Sequence, residues 1–373
     1  MTTVTTNRAV VTYSVDAAGT PDGHQASTRK VLARRLAALM AYAYEGEYDS
    51  LRRYAGPPYF VPSDALTSER ASLLGVRNEY DLFGGVVSHP FVATKTITHP
   101  LVDAASRAPA GWSAEFPRRV ADVVLDGFSV FAKEDALLAG RRLLEFGPIR
   151  VKCATGIAGL GQSTANDLAD LARALDTIDD EEMARFGAVV EQNLIDVTTY
   201  SVGQVRVAGA VGTYYGTQHL TTNNRGLEVY GGSELIVVQG DFDVLLARTL
   251  PENIRLAIAQ ARVYDAAATQ CFAGFHASRR NYDVAQGVDA AGHRRSGVLE
   301  QSWRLGGASG AEIGALEAFR ADPSLRIVRA IAREIYGEVP TLPANAAVYF
   351  SGDDPHVGPL TKYAWTEPYA DPR

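Results

Sequence analysis

The stretch Ile149-Arg150-Val151-Lys152-Cys153, followed closely by Thr155-Gly156-Ile157-Ala158-Gly159-Leu160-Gly161, organises the reading of this chain. Its first five residues have the apolar, β-branched character of a strand, and the glycines turn that strand into a loop. Gly156, Gly159 and Gly161 leave backbone amides free to face an anion, and Lys152 adds a point charge at the strand's end. Two familiar phosphate motifs are excluded. There is no Gly-Lys-Ser/Thr, and the glycine order is not that of the dinucleotide fingerprint. Taken alone, the loop suits a plain strand-to-helix connection as well as an anion cradle.

Working outward, Asn166 or Asp167 caps a helix carrying Leu168, Leu171 and Leu175. A strand at 188–191 and a β-rich region over 200–238 follow. A helix over 243–268 then leads to a hairpin of residues 279–284 and 296–302, turned at Gly292. Two more helices are expected, at 311–319 and 325–336, before a loop-rich tail. On the other side, 128–131 reads as a strand and 133–146 as a helix ended by Gly147-Pro148. Nearer the start, a strand at 9–13 precedes a helix with Leu32, Leu36, Leu39 and Ala43 at three- and four-residue spacing. Strands at 59–61 and 84–87 complete a small α/β layer. Ala108-Pro109-Ala110-Gly111 marks a seam.

Length and composition bound the rest. The chain has 373 residues, with 36 Lys+Arg against 43 Asp+Glu and a formal charge of −7. At roughly 150 residues per domain this predicts about two or three domains. Hydrophobic residues at 46% and charged residues at 21% suit a globular protein rather than a disordered one. The acidic balance argues against a general nucleic-acid binder. Two cysteines, Cys153 and Cys271, make no disulfide framework, which fits a reducing compartment. The longest apolar stretch of helical character, 36–44, is too short to span a bilayer, and the threonine-rich start is not a secretory signal. The expectation is a cytoplasmic protein with no membrane and no nucleic-acid partner.

The hairpin holds the second chemical feature. Asp283 lies on one strand, and Glu300 and Ser302 stand two apart on the next, sharing a face. Such oxygens can hold Mg²⁺, which favours carboxylates together with substrate phosphate oxygens. Solvated surface acids are the competing reading. Trp303-Arg304-Leu305-Gly306-Gly307 follows directly and supplies a fixed cation and close backbone approach to a ligand.

The order of these pieces resembles the ATP-grasp superfamily: lysine and glycine loop, then Val190-Glu191-Gln192-Asn193-Leu194, the β-rich region, and Asp…Glu-x-Ser-x-Arg-x-Gly-Gly. Gly84-Gly85-Val86-Val87-Ser88-His89-Pro90-Phe91 and Ser278-Arg279-Arg280-Asn281-Tyr282-Asp283 also look like an uncharacterised bacterial branch with a biotin-carboxylase-like ATP-grasp domain. The resemblance implies a mixed α/β and α+β architecture. A pre-ATP-grasp domain would span 1–110, a central subdomain with the flap 111–200, a C-terminal subdomain with the metal site 201–345, and the tail 346–373.

Site roles carry over by position. Lys152 and the earlier Lys95 would contact nucleotide phosphates beneath the flap of Gly156, Gly159 and Gly161. Glu191, Gln192 and Leu194 belong to the adenine-reading hinge. Asp283, Glu300 and Ser302 would hold Mg²⁺, with Ser302 standing where the family often has Asn. Arg304, with Arg279 or Arg280, would steady the transferred phosphoryl group. The ribose-binding carboxylate of the family falls near Thr199 or Tyr200. The implied activity is an ATP- and Mg²⁺-dependent, ADP-forming ligase joining a small carboxylate to an amine or thiol, with a homodimer as the family-level expectation. An ATP-grasp kinase or carboxylase and a catalytically silent nucleotide-binding protein are the alternatives. His89 and His99, each before a proline, read as loop or turn residues, and Cys153 as a small packed hydrophobe.

Overall fold

The computed structural model describes residues 8–15, 23–154, 156 and 161–369. At the N-terminal side, strands Ala9–Tyr13, Ala43–Glu47 and Tyr59–Pro62 form a parallel three-stranded sheet with Ala9–Tyr13 in the middle. Helix His24–Met40 crosses between the first two and buries Leu32, Leu36 and Leu39 at the spacing read from sequence. Strand Gly85–Val87 stands apart from this layer. It pairs with Leu66–Thr67 and with His276–Ala277, tying the N-terminal part to the start of the acidic hairpin.

A second unit is a four-stranded antiparallel sheet in the order Gly127–Val130, Ala188–Gln192, Ile149–Cys153, Gln162–Ala165. Helices Lys133–Leu143 and Leu168–Asp176 cover one face, with Ala136, Ala139, Leu171 and Leu175 packed on Ile149, Val151 and Val190. The helices approach closely at Gly140, where a Cβ would meet Leu171 Cδ2 at 2.1 Å. Asp167 is the cap: its carboxylate accepts from the Asp170 amide at 2.8 Å.

The largest element is an antiparallel sheet of eight strands, ordered Arg294–Ser302, Arg279–Val288, Ile195–Val207, Ala210–Thr222, Glu228–Gln239, Ile327–Tyr336, Gly358–Pro368, Ala347–Asp354. Helices His24–Met40 and Ser309–Ala321 pack with one of its faces around Val205, Leu235, Val328 and Ala330. Helix Glu252–Cys271 packs with the other around Val202, Tyr282 and Val298.

Three expectations are corrected here. The helix expected at 325–336 is the strand Ile327–Tyr336, because its apolar residues are buried on alternate positions, Val328, Ala330 and Ala332, against the helix pair. The tail expected to be loop-rich contributes two strands, Ala347–Asp354 and Gly358–Pro368. The helix expected over 243–268 is two, Phe242–Leu246 and Glu252–Cys271, since Pro251 lacks the amide a continuous helix needs.

Candidate functional site

The hairpin at the edge of the large sheet sets the geometry. Asp283 sits directly opposite Glu300 in register, and Asn281 opposite Ser302. Alternation puts these four on one face with Arg279, while Arg280, Tyr282 and Gln301 face helix Glu252–Cys271. The helix-facing side is structural. The Arg280 guanidinium meets Asp265 at 2.9 Å and lies over the Phe275 ring, so it points away from the acids. Tyr282 donates to the same Asp265 carboxylate at 2.5 Å.

Gln301 shows why the site assembles. From the helix-facing side its side-chain amide donates to the carbonyls of Val92 and Thr94, at 3.1 and 2.7 Å, and its own carbonyl accepts from Tyr264. The segment thus pinned carries Lys95. The Lys95 ammonium, buried, reaches Glu300 Oε2 at 2.9 Å and donates to the carbonyl of Gly156 at 3.0 Å. One lysine therefore bridges the acidic hairpin and the base of the glycine loop.

Lys152 occupies a neighbouring position with a different partner. In the antiparallel pairing Arg150 faces Glu191, which puts Lys152 diagonally across from Glu191 on the same face. Its ammonium meets Glu191 Oε1 at 2.5 Å, and His99 Nε2 meets Glu191 Oε2 at 3.0 Å. Burial would push the Glu191 carboxyl up, but Lys152 and His99 outweigh it and hold the group at about 2. Gly127 is required here, because a Cβ would lie 2.9 Å from both the Glu191 Cβ and the His99 ring. His99 lies in a bend, as its sequence context suggests, yet its ring is a buried partner of the lysine–glutamate pair. Nothing in its local sequence gave that away, since its partner lies on another element.

Asp283 sits where a negative charge is disfavoured. The residue is only half-buried, yet its Oδ1 is sealed from solvent and has no hydrogen-bond partner among the described residues. Burial and the Glu300 carboxylate push its carboxyl up to about 7, against the opposing effects of Gln218, Arg279 and Lys95. A sealed, unpartnered carboxylate oxygen facing a second carboxylate fits a divalent cation. Mg²⁺ characteristically uses one or two protein carboxylates and takes its other oxygens from water and substrate phosphates. Ser302 is not free to join them as a ligand of equal standing: its hydroxyl accepts from Arg279 at 3.0 Å. Among the described residues no group of three or more His, Cys, Asp and Glu could hold a metal, so the fit rests on the two acids.

Arg279 forms the floor. It is fully buried, forks onto Glu312 at 2.9 to 3.1 Å, and donates to the carbonyls of Ser302 and Arg304. Glu312 also accepts from Tyr214 at 2.5 Å, and Asn281 donates to Tyr214 and Ser201. Every donor this guanidinium aims is occupied within the protein, so it braces the turn that carries Arg304. Arg304 itself is half-buried; its Nε lies 3.6 Å from Asp64 of the N-terminal part. In the segment expected to be the hinge, Leu194 is buried, and the Gln192 backbone amide donates to the Asp126 carbonyl while its side-chain Oε1 is buried with no hydrogen-bond partner among the described residues. Tyr200, at the position where the family resemblance sets the ribose-binding carboxylate, carries a hydroxyl that accepts from Asn253 at 2.7 Å. Gly161 has φ +75° beside Gly156, whereas Gly159 lies outside the described residues.

A four-stranded antiparallel sheet, joined through Lys95 and the Gly156 carbonyl to paired acids at the edge of a larger sheet, has the arrangement of the ATP-grasp fold, and solved structures agree. Phosphoribosylamine–glycine ligase from Thermotoga maritima is similar at 14% identity over 97% of this chain and 92% of its own, TM-score 0.51. The biotin carboxylase domain dimer of 2-oxoglutarate carboxylase from Hydrogenobacter thermophilus, solved with MgADP, ADP and bicarbonate, is similar at 11% over 96% and 86%, TM-score 0.51. A biotin carboxylase–β,γ-ATP complex from Campylobacter jejuni gives 11% over 96% and 87%, TM-score 0.50. At these identities the likeness establishes the fold. The chain belongs to the family described as "Protein of unknown function (DUF3182)", which matches residues 11–364. No curated protein matches its sequence.

Proposed function

We propose that this protein is an ATP- and Mg²⁺-dependent ligase that activates a small carboxylate as an acyl-phosphate and passes it to an amine, forming ADP and phosphate. The observation that carries the reading is the Lys95 bridge from Glu300 to the Gly156 carbonyl, with the sealed Asp283 oxygen opposite. In this reading residues 111–200 form the flap-bearing subdomain, 201–345 the subdomain with the acids, and 1–110 the leading domain.

Asp283 and Glu300 would hold Mg²⁺, which when bound would offset the charge of the polyphosphate. Lys95 would exchange Glu300 for phosphate oxygens and Lys152 would add them to its contact with Glu191, placing two cations where charge accumulates as the γ-phosphoryl moves. Glu191 and His99 keep Lys152 aimed, and residues 191–194 would read adenine through backbone groups. Arg304, at the turn braced by Arg279, would orient the carboxylate. Gly156, Gly159 and Gly161 would let the flap close and keep water from the acyl-phosphate.

A catalytically silent nucleotide-binding protein is the second reading, favoured by the engagement of Ser302 with Arg279. Calorimetric binding of Mg²⁺–ATP together with ADP release on a carboxylate panel tests both. Binding and release, each lost in Lys95→Met and Glu300→Gln, support the ligase. Binding without release on any carboxylate selects the silent protein, and no binding overturns both.

A further inference from the structure

Helix Glu252–Cys271 reaches the acidic site through the hydroxyl of Tyr264. The residue is fully buried, its ring packed edge-on against Phe116 at 5.0 Å between centroids. Its hydroxyl has two neighbours: it donates to the Gln301 side-chain carbonyl at 3.0 Å and lies 2.9 Å from the Thr98 hydroxyl. A phenol carries one proton, and burial pushes this one's pKa up, so the proton stays. With that proton given to Gln301, the Thr98 hydroxyl must donate to Tyr264. The three side chains form a directed chain from Thr98 through Tyr264 to Gln301.

That direction settles the Gln301 amide. Its oxygen is taken by Tyr264, so its nitrogen faces the carbonyls of Val92 and Thr94; turned over, it would set oxygen against oxygen twice. The chain thereby returns to the segment where it began. Thr94 and Thr98 flank Lys95, the first held by Gln301 and the second by Tyr264. Between them, the Thr94 hydroxyl accepts from the Thr96 amide at 3.3 Å and caps the 3-10 turn Lys95–Ile97. Backbone on both sides of the lysine is fixed while its ammonium reaches out to Glu300 and Gly156.

The Glu300 contact alone is a poor anchor. Its carboxylate is about a third exposed, and under the ATP reading the lysine gives it up when a nucleotide arrives. An ammonium that changes partners needs its backbone held by groups that do not. We infer that Gln301, oriented by Tyr264, is a positioning residue that keeps Lys95 in place whichever anion the ammonium meets. The consequence for nucleotide affinity rests on the ATP reading; the placement of Lys95 does not.

Two readouts on the full chain keep these apart. Reductive methylation followed by peptide mass spectrometry reports how shielded Lys95 is, with exposed Lys30 as the internal standard and buried Lys152 as the control for general loosening. Isothermal titration with Mg²⁺–AMPPNP reports binding. In Gln301→Glu the protonated carboxyl can still donate to one carbonyl and accept from Tyr264, whereas the ionised form repels both carbonyls. Tyr282, opposite in register, donates to Asp265, and Asp265 pairs with Arg280, so the charged groups on that side are already engaged. Relative to wild type at the same pH, raising pH from 6 to 8.5 should increase Lys95 methylation about fivefold and weaken AMPPNP binding about tenfold. Tyr264→Phe, which keeps the ring in the core, should raise Lys95 methylation about threefold at both pH values. Unchanged Lys95 methylation in both variants, or a rise matched by Lys152, overturns the inference. The expected methylation pattern in a protein whose wild type binds no AMPPNP upholds the positioning role and overturns the ATP reading alone.

Discussion

Replacing Asp283 with asparagine keeps the shape of the side chain and removes the charge that faces Glu300. Its folded carboxyl is raised from 3.8 to about 7 by burial and by Glu300, so between those values the folded chain holds a proton that the unfolded chain has lost. Stability contributed at this site therefore falls as pH rises from about 4 to about 7. From pH 5 to pH 8 the penalty grows by about two pH units, or ~3 kcal/mol at ~1.4 kcal/mol each. Partial exposure of the residue brings this nearer ~2 kcal/mol. With ~2.1 cal/mol/K of unfolding entropy per residue, a 373-residue chain has ~0.8 kcal/mol/K, so the shift is about 2 to 3 °C. Scanning calorimetry of ligand-free wild type and Asp283→Asn should show the variant's advantage in Tm larger at pH 8 than at pH 5 by that amount. The same substitution should weaken Mg²⁺–nucleotide binding. An advantage that does not change with pH would refute the argument that Asp283 is held against its charge.

The Glu191 carboxyl, held at about 2, contributes stability that is complete above its ordinary value of 4.5 and lost as pH falls toward 2. The wild type's margin over Glu191→Gln in urea midpoint should therefore shrink between pH 5 and pH 2.5. Lys152→Met leaves Glu191 buried with only His99, and should cost about 3 kcal/mol in urea unfolding besides any loss of ADP release. Gly127→Ala drives a methyl group against the Glu191 Cβ and the His99 ring and should cost about 1 to 3 kcal/mol by the same assay.

Elements with a clean local signature were readable from sequence. The strand Ile149–Cys153, the cap at Asp167 and the hairpin turned at Gly292, with φ +83°, follow from periodicity and turn chemistry alone. The strand Ile327–Tyr336 was misread because Ile, Ala and Glu at mixed spacing satisfy a helical pattern too, and only the flanking strands decide between them. At the site, Asp283 and Glu300 were legible as a facing pair, since alternation fixes their face. The division of labour among the basic residues was not. Arg280 turns to the opposite face by alternation, and Arg279 is consumed by Glu312, a residue of a later helix. His99 and Gln301 act through partners 92 and 209 residues away, and no local pattern reports such contacts.

The strand Arg294–Ser302 faces two ways, with Glu300 toward the Lys95 charge and Gln301 toward the carbonyls of Val92 and Thr94 just before that lysine. Register is consequently a shared constraint: a slip of one residue would exchange the two side chains, aiming a carboxylate at carbonyl oxygens and stranding the ammonium beside an amide. Insertions in this hairpin should be tolerated at its Gly292 tip and nowhere along the paired stretch. A chimera that imports the acids from a relative must import the glutamine that follows the second of them as well.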